Sequence, residues 1–153
     1  MIVDVHGHVS APESLYAWKA GLLSHRGAHG LRAPRISDDA IRQAYLTPNA
    51  SFGDVSHFDH LDGAGVDVQL ISPRPYQMMH SEQPAKIVEA YTAEVNDVIA
   101  RSIELFPGRF RGVAGLPQSP DLSVESWTNE LRRCVTELGF VAFTLNPDPH
   151  EGL

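Results

Sequence analysis

Met1-Ile2-Val3-Asp4-Val5-His6-Gly7-His8 opens the chain, and the rest of the sequence is organised around it. Ile2, Val3 and Val5 are β-branched and apolar, the composition of a buried strand. Side chains alternate along a strand, so strict alternation places Asp4, His6 and His8 on one side together with Ile2. Gly7 leaves the other side bare, which lets the backbone bend or another group approach closely. Two imidazoles at i and i+2, at the end of a strand, can share one divalent cation. They supply at most half of a site, because a metal ion takes three or four ligands. By itself the pattern is more often an ordinary histidine pair near a chain terminus.

Outward from that strand the chain alternates. From Ser14 to Ser37 there is no acidic residue, while Lys19, Arg26, Arg32 and Arg35 are cationic and His25 and His29 lie among glycines. Against a net charge of −7 this reversal reads as a loop excursion. It is either a solvated surface stretch or one that draws an anionic substrate toward the strand end. Ser37 reads as an N-cap with Asp38 and Asp39 in the first turn, and Ile41, Ala44 and Tyr45 keep helical spacing until Pro48. Asp54 is the expected cap of a short helix carrying Val55, Phe58 and Leu61, on which His57 and His60 are expected to face solvent.

Val66 to Ser72 reads as a second strand, closed by Pro73-Arg74-Pro75, and Tyr76 to His80 follow in the same loop. Pro84 suits the first turn of a long helix whose stripe runs Ile87, Tyr91, Val95, Val98, Ile99, Ile103 and Phe106. Phe110 to Leu116 is the third strand, with Pro117-Gln118-Ser119-Pro120 after it. Ser123 caps a helix with the stripe Val124, Trp127, Leu131, Val135 and Leu138, which Cys134 borders as a small buried hydrophobe. Phe140 to Leu145 is the fourth strand, and Asn146-Pro147-Asp148-Pro149-His150 follow.

Such alternation means parallel strands joined by right-handed helical crossovers, an α/β fold. The loops bearing His6, His8, Arg74, Gln118, Asn146 and Asp148 all follow strand ends, the end where open α/β sheets and (β/α)8 barrels carry their sites. The guanidinium fork of Arg74 matches a carboxylate.

Composition narrows the function classes. At 153 residues, 42% apolar and 20% charged, the chain is most simply one folded domain. The net charge of −7 argues against nucleic-acid partners, which demand a basic face. No apolar run reaches a membrane span and the first residues lack a signal-peptide pattern, so a cytoplasmic protein is expected. The single Cys134 can form neither an internal disulfide nor a cysteine zinc site.

Asp4-Val5-His6-Gly7-His8 resembles the first strand of the amidohydrolase superfamily, metal-dependent (β/α)8-barrel enzymes. Ile71-Ser72-Pro73-Arg74, Leu116-Pro117-Gln118-Ser119-Pro120, and Glu137-Leu138-Gly139-Phe140 leading to Leu145-Asn146-Pro147-Asp148-Pro149 are similar to its amidohydrolase-related group. The resemblance implies that His6 and His8 ligate a divalent metal, usually zinc, that Arg74 holds a substrate carboxylate, and that Asn146 lines the pocket. It implies a hydratase of a small polycarboxylate of the 4-oxalomesaconate kind, with a decarboxylase as the alternative. Nothing in the sequence separates these two, and the general acid or base is unassigned.

A barrel of about 250 residues needs eight strands, whereas this chain supplies four. The expectation is therefore the N-terminal half of a (β/α)8 barrel, residues 1–153, truncated after its fourth strand and lacking the later ligands. A complementary C-terminal half or a second copy would complete it. The reading from another class is an inactive truncated or split fragment.

Overall fold

The alternation of apolar strands with helices folds into a half-barrel. The computed structural model describes residues 1–49, 53–75 and 78–147. Along the chain run β1 (Val3–His8), α1 (Glu13–His25), α2 (Asp38–Leu46), α3 (His57–Gly63), β2 (Val68–Ser72), α4 (Ala85–Leu105), β3 (Phe110–Ala114), α5 (Val124–Thr136) and β4 (Ala142–Phe143). The strands lie in the order β1-β2-β3-β4, and every neighbouring pair is parallel.

Helices cover one face of this sheet. α4 buries Ile87, Val88, Tyr91, Val95, Val98 and Ile99 and packs against α1, α2 and β3. Ile71, Phe110 and Ala114 of the sheet meet that layer and are fully buried. Between α2, α3 and β3 the rings of Tyr45, His57, Phe58, Phe106 and Phe110 cluster, with centroids as close as 4.7 Å for Phe58 and Phe106. The other face is open: Val5 is 72% exposed and Phe143 51%.

Register decides which side chains face which way. Val3 and Asp4 align with Val68 and Gln69, whereas Gly7 and His8 align with Ile71 and Ser72. β1 therefore takes three steps where β2 takes two, a bulge of one extra residue.

Among the helices, four sequence expectations change. The cationic stretch is not a loop throughout: Glu13–His25 is helical, because Leu15 and Leu22 share a buried face that the charges and glycines obscure. The cap of α3 is Ser56, not Asp54, and Ser56 and Asp59 form a capping box. His57 does not face solvent: it is 2% exposed, while His60 is exposed as expected. On α5, Val124 and Val135 are 65% and 50% exposed, and Cys134 takes the core position. Burial pushes the Cys134 thiol up to about 12, so it is a small hydrophobe at neutral pH.

Candidate metal and substrate site

Parallel pairing brings the strand C-terminal ends to one edge of the half-barrel. His6 and His8 stand at the end of β1, Arg74 follows β2, and Asn146 follows β4. Asp148 and His150 lie outside the described residues, as does Tyr76.

His6 and His8 line one cavity of about 290 Å³ on the open face, together with Leu70, Ser72 and Val113. Their ring centroids are 5.3 Å apart and the planes perpendicular. Imidazoles that share an ion, each nitrogen about 2 Å from it, place their ring centres roughly 5 Å apart, so the pair fits a divalent metal. His8 is also prepared for the task. Its Nδ1 lies 3.0 Å from Ser72 Oγ, and that hydroxyl also reaches the carbonyls of Gly7 and Pro73. A hydroxyl has one proton, and carbonyls can only accept it. The set is satisfied when His8 Nδ1–H donates to Ser72, which leaves the Nε2 lone pair for an ion. Burial holds the His8 pKa below its ordinary value, keeping the imidazole neutral at pH 7. Among the described residues no group of three or more His, Cys, Asp or Glu is placed to hold a metal.

Asp4 does not join the pair, contrary to strict alternation. Because the bulge lies between Asp4 and Gly7, Asp4 stays aligned with Gln69 on the helix-covered side while His6 and His8 face the cavity. Gln69 Nε2 donates to Asp4 Oδ2 at 2.7 Å, and His6 N–H donates to Asp4 Oδ1 at 3.0 Å. Those bonds, the Gln69 bond first, hold the Asp4 carboxyl below the usual carboxylate range.

Arg74 lines a neighbouring cavity of about 610 Å³, bounded by Ser10, Glu13, Tyr16, Gln43 and Asn49. Its charge still reaches His8 as one of the smaller causes of that lowered pKa. Asn146 is held by its backbone: its N–H donates to Gln118 Oε1 at 2.8 Å, and Gln118 Nε2 donates to its carbonyl at 2.9 Å. The cations of the basic stretch line neither cavity. Arg26 pairs with Glu82, and Lys19 lies over the Tyr91 ring at 5.6 Å.

Sequence reasoning missed Ser10, His57, Gln69 and Ser72 as parts of this architecture. One signal was present: Gln69 is a long polar residue inside an otherwise apolar strand, and such a residue needs a buried partner.

The chain matches the family model described as amidohydrolase over residues 3–152. It is 34% identical, over 99% of its length and 43% of the relative's, to the 2-keto-4-carboxy-3-hexenedioate hydratase of Sphingobium sp. (strain NBRC 103272 / SYK-6). The crystal structure of 4-oxalomesaconate hydratase, LigJ, from Rhodopseudomonas palustris superposes with a TM-score of 0.82 at 32% identity, covering 97% of this chain and 43% of that one. A dihydroxybenzoic acid decarboxylase from Polaromonas sp. JS666, crystallised with manganese and an inhibitor, shares the fold at TM-score 0.57 and 24% identity, over 95% of this chain and 38% of its own. The chain thus spans less than half the length of these relatives.

Proposed function

The chain belongs to the amidohydrolase family, and from that premise we propose that it is the first half of the catalytic barrel of a divalent-metal-dependent hydratase. Its substrate class is a small polycarboxylate of the kind released in aromatic-ring breakdown. The observation that carries the reading is the pair His6 and His8, sharing one cavity at a strand's C-terminal end with His8 held by Ser72. The match to hydratases over nearly the whole chain supports hydration ahead of decarboxylation.

His6 and His8 would hold the ion. A bound divalent metal lowers the pKa of a coordinated water and so makes hydroxide available at neutral pH. Ser72 keeps the His8 tautomer that exposes Nε2. Arg74, in the adjoining cavity, orients a substrate carboxylate; Asn146, clamped by Gln118 beyond the end of β4, lines neither cavity among the described residues. The remaining ligands and the proton-transfer group belong to the part of the family fold that this chain does not span. Zinc is the ion expected, and manganese, present in the Polaromonas decarboxylase, is the competitor that metal analysis distinguishes. A cytoplasmic location belongs to the same reading; no helix among the described residues is long and apolar enough to cross a membrane.

The test is complementation. The chain is mixed with the remaining barrel segment of the Rhodopseudomonas hydratase, zinc or manganese is added, and 4-oxalomesaconate consumption is followed. Turnover should arise in the mixture, be absent from either part alone, and disappear with His6→Ala or His8→Ala. A mixture that decarboxylates a resorcylate instead selects the alternative activity. Turnover untouched by both substitutions sinks the assignment of the pair.

A further inference from the structure

The candidate ligands face the open side only because of the irregularity in β1. With uninterrupted pairing, Asp4 opposite Gln69 would carry His6 and His8 with it to the helix-covered side. The extra residue between Asp4 and Gly7 returns both imidazoles to the cavity. That bulge has two anchored ends. One is His8 against Ser72, and the other is Asp4 against Gln69.

The second anchor continues into the core. His57 Nε2 lies 2.8 Å from Gln69 Oε1, and His57 Nδ1 lies 2.8 Å from Ser10 Oγ. The direction of the chain follows from Asp4. An ionised carboxylate only accepts, so Gln69 presents Nε2 to Asp4 and Oε1 to His57. His57 therefore donates from Nε2, and its Nδ1 accepts the Ser10 proton. Burial keeps this imidazole neutral, which suits that single arrangement. Gly7 belongs to the same device: a Cβ there would lie 2.2 Å from Gln69 Cδ, so only glycine leaves room for the Gln69 side chain to cross.

Resting on the metal reading above, we propose that His57 and Gln69 are positioning residues for the first-strand ligands. Through Gln69, His57 pins Asp4 to the helix side; Asp4 takes the His6 N–H; and the bulge fixed in this way presents His6 to the ion. Neither residue touches the metal or the substrate.

The test uses the 153-residue chain with cobalt(II) alone as probe, by calorimetry, together with the metal-free amide signal of His6 in ¹H–¹⁵N spectra. Gln69→Leu removes both side-chain bonds at similar size. His57→Phe keeps a ring beside Tyr45 and Phe110 but ends the chain. Each should weaken cobalt binding by roughly 10-fold or more, move the His6 amide upfield and speed its hydrogen exchange. His57→Gln, which can again donate to Gln69, should recover most of the affinity, a rescue that a purely structural role does not give. Asp4→Ala leaves the buried core intact and carries the test if a core variant fails to fold. It should weaken binding equally, and the double variant Asp4→Ala/Gln69→Leu no further than either alone. Wild-type affinity with an unmoved His6 amide in Asp4→Ala or in folded Gln69→Leu, or additive losses in the double variant, overturns the proposal. Cobalt binding unchanged by His6→Ala overturns the metal reading instead, and the amide signal still reports separately whether the anchor holds His6.

Discussion

The two faces of the sheet are built from the same strands and obey different rules. On the helix-covered face, Ile71, Phe110 and Ala114 are sealed by α4 and the aromatic cluster. On the open face, Val5 and Phe143 are large, apolar and mostly in water, beside the cavity of His6 and His8. A folded chain keeps such a surface when something else is meant to cover it or when a ligand is meant to reach it. The covered face carries the packed core and the open face carries the cavity of the histidine pair, and Gln69 and the β1 bulge join them.

The sharpest way to break this contrast is truncation on each side. Phe110→Ala, at a fully buried position, should cost about 3–5 kcal/mol in urea unfolding. Phe143→Ala should cost well under that, about 0.5 kcal/mol. Equal losses would mean that the open face is packed in solution.

Next in size is the seam. Gly7→Ala drives a methyl into Gln69 and should cost about 1–3 kcal/mol by overpacking. In Gly7→Ala/Gln69→Ala the clash is gone, so its loss should be smaller than the sum of the two single losses; a sum that simply adds would show that the clash is not the cause.

The pH response is gentler and comes first from the covered side. His57 is buried and its pKa lies below the ordinary 6.5, so both states are neutral above that pH. As pH falls from about 6.5 toward the lowered folded value, the unfolded chain takes the proton first and stability is lost, levelling off below the folded pKa. His8 adds a share of the same sign. Chemical denaturation between pH 7 and 5 should therefore show a steeper fall in the wild type than in His57→Gln; parallel curves would contradict a buried neutral His57.

The smallest effect on stability is expected on the open face. Val5→Ser/Phe143→Ser should leave the unfolding midpoint nearly unchanged while reducing the binding of a hydrophobic dye and any self-association seen by sedimentation. A large drop in the midpoint would place these residues in the core after all.

Periodicity and the order of the elements sufficed for the parallel half-barrel. Strands of Val, Ile and Leu alternating with helical stripes leave few topologies, and right-handed crossovers remove most of those. The places of His6, His8, Arg74 and Asn146 along the chain followed as well, since the two histidines close β1 and Arg74 and Asn146 follow β2 and β4. What tertiary structure alone decided was direction. Alternation within β1 put Asp4 beside the histidines, and only pairing with β2 introduces the extra residue that separates them. The face of α5 that turns inward and the burial of His57 were likewise set by neighbours far along the chain. A period-two or period-3.6 pattern records what one element prefers. It cannot record a bulge one end of which is anchored by a glutamine on the adjacent strand.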